Sequence, residues 1–83
     1  MNLSVELSLY PLKEAYIPDI QAFIERLNSY QEIRVVTNVM STQIFGPYDD
    51  VMRIVSAEMK TIFDQPDTMV MVMKAVNAQL NEN

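Results

Sequence analysis

Polar side chains that could bind a small molecule are concentrated in one stretch of the chain, residues 37–46. Hydroxyl and amide groups occupy five positions within seven residues, next to strand-forming apolar residues: Thr37, Asn38, Ser41, Thr42 and Gln43. Polar groups concentrated where a chain is building a sheet have two interpretations. Either they turn one strand into the next through local hydrogen bonds, or they line a binding site.

Glu6 is the most suggestive charged residue in the chain. It lies in the middle of a predicted strand, between Val5 and Leu7. One interpretation is an ordinary exposed strand residue, and the other is an acceptor or counter-ion for a cationic, nitrogen-rich ligand. Tyr10 and Phe45 are predicted on the same face of the sheet, where they either stack on a flat ring, hold a cation over their π faces, or pack in an interface.

The composition excludes several kinds of catalytic site. The chain contains no histidine and no cysteine, so it has no Ser-His-Asp triad, no thiol nucleophile and no zinc site of the usual kind. Gly46 is the only glycine, so no phosphate-cradling loop exists. The aspartates at 49, 50, 64 and 67 fall at predicted helix ends and in a loop, where complementing a helix dipole or simple solvation explains them better than a metal cluster does. We therefore expect no enzyme, no metal and no cofactor, although composition alone does not exclude catalysis.

Length and charge limit the organisation and the partners. The chain has 83 residues, which we interpret as one domain over residues 1–83, and it carries a net charge of −5. An acidic chain without a basic patch predicts no nucleic-acid partner. The N-terminal residues do not resemble a signal peptide, and no apolar run is long enough to span a bilayer. We expect a cytoplasmic protein, in which a ligand or a partner subunit adds stability to a small core.

Hydrophobic periodicity predicts six elements. Period-two alternation indicates strands, and apolar residues recurring at three and four positions indicate amphipathic helices. In chain order, we predict a strand at 3–10, a helix at 17–30, strands at 33–37 and 41–45, a helix at 49–63, and a strand at 68–76. The polar tail at 77–83 is predicted to be frayed.

This order predicts an α+β protein with a ferredoxin-like βαββαβ fold. Two helices would cover one face of a four-stranded antiparallel sheet, with the first and third strands in its centre. The other face would carry Glu6, Ser8, Tyr10 and Phe45, together with one side of a last strand that is apolar on both faces. Because a solvated face rarely carries so many apolar residues, we expect a second subunit to cover it and to leave a polar pocket around Glu6.

Several short motifs in matching order and spacing resemble a known family. They are Ser8-Leu9-Tyr10-Pro11, Tyr16-Ile17, Thr37-x-x-x-Ser41-Thr42 and Gly46. The set is similar to that of the YkoF-like thiamine and hydroxymethylpyrimidine-binding proteins, and of their short single-domain relatives. The resemblance extends from the first strand to the second helix.

The resemblance implies a non-catalytic vitamin-binding role, with thiamine or its hydroxymethylpyrimidine moiety held at the open sheet face near a subunit interface. It also implies a homodimer or homotetramer of single domains. Asn38 departs from the family pattern, because the tandem members have Asp there, and Glu6 is the candidate for the missing charge. The candidate ligand-binding residues are Glu6, Ser8, Tyr10, Thr37, Asn38, Ser41, Thr42 and Phe45. The alternative is a structural or regulatory homo-oligomer without a small ligand.

Overall fold

The chain alternates strands and helices in the order β-α-β-β-α-β, and the computed structural model describes residues 1–80 of it. The elements are β1 (Asn2–Pro11), α1 (Ile17–Asn28), β2 (Arg34–Thr37), β3 (Thr42–Pro47), α2 (Tyr48–Phe63) and β4 (Met69–Val76). The predicted α+β class with a ferredoxin-like arrangement is confirmed. Element ends differ from the predicted ones by a few residues at most.

The four strands form one antiparallel sheet in the order β2-β3-β1-β4. The first and third strands are central, as predicted, because each helix connects two strands that are not neighbours. Val5 and Leu7 of β1 face the helices and are almost fully buried. Ile44 of β3 lies beside Val5 in the register and has no exposed surface. The apolar residues that alternate along the strands therefore form the sheet side of the hydrophobic core.

The two helices cover one face of the sheet with their apolar stripes. Pro18 falls in the first turn of α1, where a missing N–H costs no helical hydrogen bond, and Asp19 complements the helix dipole there. The buried residues on the helices complete the hydrophobic core: Phe23, Leu27, Val51, Ile54, Val55 and Ile62. One closely packed core is the expected result for a chain of this length.

Strand β3 and helix α2 follow each other without a linker. Pro47 ends the strand with extended backbone, and Tyr48 begins the helix. A Cβ atom at Gly46 would lie 3.2 Å from the carbonyl oxygen of Glu32 and 3.5 Å from Val51 Cγ2. Since nine in ten Cβ contacts are looser than the first of these, glycine allows the close approach of backbone segments at this corner.

A buried carboxylate joins the two helices. Glu58, the polar residue in the apolar stripe of α2, is only 6% exposed. Its Oε1 accepts a hydrogen bond from Arg26 Nε at 2.6 Å, and its Oε2 accepts one from the Tyr30 hydroxyl at 2.7 Å. The bond to Glu58 raises the pKa of Tyr30 above its ordinary value of 10.0. Both carboxylate oxygens therefore have donors, as burial of a charge requires.

The C-terminal segment returns to the sheet. We predicted a frayed tail from residue 77 onward, but Ser4 Oγ donates a hydrogen bond to the Ala78 carbonyl at 2.6 Å and accepts one from the Leu80 amide at 2.9 Å. Residues 77–80 are thus bound to β1, and the rest of the predicted frayed tail, 81–83, lies outside the described residues. Within residues 1–80, neither helix is long and apolar enough to cross a membrane.

Candidate functional site

The face of the sheet away from the helices carries the acidic residue singled out in the sequence. In the strand register, Glu6 of β1 lies between Gln43 of β3 and Lys74 of β4. Ser8 and Tyr10 follow on the same face, opposite valines of β4. Outward placement of these side chains follows from the period-two pattern, and the register brings together residues distant in sequence.

Phe45 lies on this face but is not available as an open stacking platform. Its side chain is only 4% exposed, and the guanidinium carbon of Arg34 lies 4.7 Å from the centroid of its ring. This distance is that of a cation–π contact. We expected a second subunit to cover Phe45, whereas residues of its own chain already do so.

Glu6 is held in its charged form by its neighbours. Ser41 Oγ donates a hydrogen bond to Glu6 Oε2 at 3.0 Å, and Lys74 Nζ lies 3.5 Å from Glu6 Oε1. The Ser41 hydroxyl is the largest cause that lowers the pKa of Glu6 below its ordinary value of 4.5. Burial opposes this effect, and the charge of Lys74 adds a smaller lowering. Glu6 therefore stays ionised at neutral pH, as a counter-ion must.

Replacing Ser41 by alanine is expected to raise the pKa of Glu6, because the hydroxyl is the main cause of its depression. A carboxylate whose pKa is lowered on folding adds stability above its unfolded pKa, and this contribution disappears as the pH falls through the folded value. NMR titration of the Glu6 side chain would measure this pKa. Ser56→Ala, on the exposed side of α2, is the control and should leave the pKa of Glu6 unchanged. An unchanged pKa of Glu6 in Ser41→Ala would contradict the hydrogen bond.

Asn38 is a turn residue in this structure. Its Oδ1 accepts hydrogen bonds from the backbone amides of Met40 at 2.8 Å and Ser41 at 2.9 Å. The backbone N–H of Asn38 donates to the Ser41 carbonyl at 3.0 Å. These bonds close the connection between β2 and β3. The side-chain oxygen of Asn38 therefore has the first of the two roles considered for the polar stretch, which is local hydrogen bonding that turns one strand into the next. An aspartate would accept the same bonds, so the departure from the family pattern changes charge rather than turn geometry.

A cavity of about 480 Å³ opens between the β2–β3 connection, α1 and the end of β1, and we call it the hairpin cavity. Its apolar wall includes Phe23 of α1, and Tyr16 stands in the connection before that helix. Six of the eight predicted residues line it: Ser8, Tyr10, Thr37, Asn38, Ser41 and Thr42. Tyr16 also lines it; the sequence contained it in a motif, but we did not predict it as a site residue.

The other two predicted residues, Glu6 and Phe45, line a separate cavity of about 340 Å³. This cavity lies under the C-terminal segment on the open sheet face, and we call it the tail cavity. Among residues 1–80, its lining is formed by Ser4, Val5, Glu6, Gln43, Phe45, Lys74, Val76 and Leu80. The predicted single site is thus divided in two, with the Ser41–Glu6 hydrogen bond joining the walls of the two cavities.

The threonines do not share a face with Glu6. Thr37 and Thr42 are opposite each other in the β2–β3 register, and Thr42 pairs with Leu7, whose side chain faces the core. Thr42 is 6% exposed, whereas Thr37 is exposed. The hydroxyl of Thr37 is therefore the more accessible of the two at the hairpin cavity.

Ion pairs fix the connection between β1 and α1 at the rim of the hairpin cavity. Lys13 Nζ lies 2.7 Å from Asp19 Oδ2 and 3.1 Å from Asp67 Oδ2, and the Leu12 amide donates to the Thr68 carbonyl at 3.1 Å. The two carboxylates, Asp19 first, raise the pKa of Lys13 above its ordinary value of 10.5. The β1–α1 and α2–β4 connections are thereby held together, which positions one rim of the cavity before any ligand arrives.

Solved structures with a similar fold exist in three bacteria. Protein SP2199 of Streptococcus pneumoniae has a TM-score of 0.84 and 24% identity, over 96% of this chain and 90% of that one. A Thermotoga maritima protein proposed to act in thiamine biosynthesis or salvage has a TM-score of 0.83 and 14% identity, over 98% and 90%. A domain of unknown function from Bacillus cereus, DUF77, has a TM-score of 0.72 and 18% identity, over 95% and 78%.

At these identities, the likeness shows a shared fold. The neighbours include a protein described as thiamine-related and a DUF77 domain. No protein-family model and no curated protein sequence matches the chain.

Proposed function

We propose that this protein is a non-catalytic binding module for thiamine or its hydroxymethylpyrimidine moiety, held in the hairpin cavity. The observation that carries the proposal is the convergence on this one cavity of the five motif residues that the sequence predicted to bind the ligand: Ser8, Tyr10, Thr37, Ser41 and Thr42. These residues come from three strands and the β2–β3 connection, so their meeting is a property of the fold.

The size and lining of the cavity suit a small heterocycle. About 480 Å³ falls within the range of roughly 300–1,000 Å³ that is usual for small-molecule sites. Such sites combine apolar and aromatic walls with a few polar groups, and here Phe23 and two tyrosines, Tyr10 and Tyr16, accompany the hydroxyls. An aromatic ring stacks on the flat pyrimidine.

The polar groups at the cavity match the nitrogen atoms of an aminopyrimidine. The exposed Thr37 hydroxyl can donate or accept a hydrogen bond, and the Nδ2 of Asn38, which the turn does not use, can donate one. The hydroxymethylpyrimidine is uncharged, whereas thiamine carries a thiazolium cation. In this proposal, the tyrosine faces and the ionised Glu6 beyond Ser41 stabilise that cation.

The test is calorimetric titration of the full chain with hydroxymethylpyrimidine and then with thiamine. We expect saturable binding of at least one ligand, weakened about fivefold by Thr37→Val, because one hydrogen bond contributes about 1 kcal/mol. Thr61→Val, which removes an exposed hydroxyl from α2, is the matched control and should leave the affinity unchanged. Absence of binding to folded protein, or equal affinities of the two variants, would overturn the proposal.

A second candidate, a structural or regulatory homo-oligomer without a small ligand, is favoured by one observation. Four apolar or aromatic side chains on the open sheet face are between 42% and 52% exposed: Tyr10, Val70, Val72 and Val76. A homodimer or homotetramer formed through this face would bury them. Both candidates predict such an assembly in the cytoplasm, so ligand binding separates them: the first alone predicts saturable heat in the titration and a ligand-dependent rise in the melting temperature.

A further inference from the structure

We propose that the tail cavity is a second and separate binding site, which takes a free α-amino acid with an apolar side chain, and that residues 77–80 form its lid. This inference does not depend on the proposed thiamine site. It depends on the charges, the wall and the cover of a cavity of about 340 Å³ on the open sheet face.

The charged groups of the tail cavity select a zwitterion. Glu6 and Lys74 are directly opposite each other in the β1–β4 register, with Lys74 Nζ 3.5 Å from Glu6 Oε1. A lone cation attracted by Glu6 would meet Lys74, and a lone anion attracted by Lys74 would meet Glu6. An ammonium and a carboxylate on one carbon can instead contact both side chains, so that each charge has an opposite partner.

The remaining wall suits an apolar side chain. Phe45, Val76 and Leu80 line the cavity beside the charged pair. Phe45 and Val76 belong to the sheet, whereas Leu80 belongs to the C-terminal segment and contributes to the wall only while that segment lies on the sheet. A ligand side chain that contacts these residues removes apolar surface from water on both partners, which favours leucine or methionine over a polar amino acid.

One buried hydroxyl holds the lid in place. Ser4 is 4% exposed, and its Oγ both donates to the Ala78 carbonyl at 2.6 Å and accepts from the Leu80 amide at 2.9 Å. These two bonds link residues that are 74 and 76 positions apart in the sequence. A bound amino acid adds contacts to Leu80, so the ligand should stabilise the closed lid.

The experiment is calorimetric titration of the full chain with L-leucine, with N-acetyl-L-leucine, which lacks the ammonium group, and with 3-methylbutylamine, which lacks the carboxylate. We expect saturable binding of leucine and at least about tenfold weaker binding of the other two, because each loses a charge-assisted contact. Equal binding of leucine and 3-methylbutylamine would overturn the zwitterion site, and so would no binding of leucine to folded protein.

Variants separate this site from the proposed thiamine site. Lys74→Met should weaken leucine binding about tenfold and leave hydroxymethylpyrimidine binding unchanged, whereas Lys60→Met on α2 should change neither. Equal effects of the two lysine variants on leucine binding would overturn the assignment of Lys74. If the folded wild type binds leucine but neither hydroxymethylpyrimidine nor thiamine, the proposed function is rejected and this inference stands.

Hydrogen exchange of the Leu80 amide tests the lid directly. Leucine should slow this exchange in the wild type, and Ser4→Ala should speed it in the absence of ligand, because the amide loses its acceptor. If leucine binds but does not change the exchange rate of the Leu80 amide, residues 77–80 do not act as a lid.

Discussion

Replacing Glu58 by alanine is expected to lower the free energy of unfolding by about 2–3 kcal/mol, because the change leaves Arg26 and the Tyr30 hydroxyl without their acceptor between the helices. The Arg26 side chain remains 35% exposed, so water replaces part of the lost interaction, and the cost stays below that of a fully buried pair. Urea denaturation followed by circular dichroism measures it, and the melting temperature should fall by roughly 10–20 °C.

Two comparisons show whether the buried network causes this loss. Glu25→Ala, on the exposed side of α1, should change stability by no more than about 0.5 kcal/mol. Replacing Glu58, Arg26 and Tyr30 together by Leu, Met and Phe should recover most of the stability, because no buried polar group is left unpaired. If Glu58→Ala costs no more than Glu25→Ala, the network does not stabilise the fold.

The same network has a pH signature. Since Glu58 raises the pKa of Tyr30 above 10.0 in the folded protein, protonated Tyr30 favours folding. That contribution is complete below the unfolded pKa and is lost as the pH rises through the folded value. Glu58→Ala lacks this contribution, so between the unfolded and the folded pKa of Tyr30 its stability should fall less with rising pH than that of the wild type, as urea denaturation over this pH range would show.

Replacing Leu27 by alanine is expected to lower the free energy of unfolding by about 3–4 kcal/mol, within the range for a fully buried leucine. Leu27 has no exposed surface and lies in the hydrophobic core on the inner side of α1. A chain of this length has roughly 4–12 kcal/mol of stability in total, so the variant should lose between about a quarter and nearly all of it. In urea denaturation, we expect an unchanged dependence of the free energy of unfolding on urea concentration and a lower midpoint concentration.

The chain offers matched controls for this change. Leu12→Ala removes the same atoms from a side chain that is 60% exposed, so it should cost far less. Leu27→Met nearly conserves the volume and should cost less than about 1.5 kcal/mol. Equal losses in Leu27→Ala and Leu12→Ala would contradict the burial of Leu27.

Helix α1 connects stability to the proposed function. Leu27 anchors it in the core, and Phe23 on the same helix lines the hairpin cavity. Binding measurements on Leu27→Ala would therefore mix loss of fold with loss of the cavity wall. For this reason, the binding tests use exposed hydroxyls and charges, which are not part of the core.

Local patterns in the sequence determined the class and layout of the fold. Alternation in β1 and helical spacing in α1 and α2 identify the elements, and the apolar half of each pattern identifies the inner face. These assignments follow from sequence neighbours alone, because strand and helix periods depend only on backbone geometry. The βαββαβ order of the elements is in turn typical of the ferredoxin-like arrangement, in which β1 and β3 are central.

Only the tertiary structure decided how the candidate site is arranged. The sequence placed Glu6 and Phe45 in one site with the residues of the β2–β3 connection, whereas the fold gives them a different cavity. It also shows the Asn38 oxygen bound within its own turn. The contact of Ser4 with residues 78–80 closes the second cavity, and no local pattern encodes it, because its partners are more than 70 residues apart. Periodicity assigns a side chain to a face, but the packing of distant segments decides which of its neighbours share a cavity.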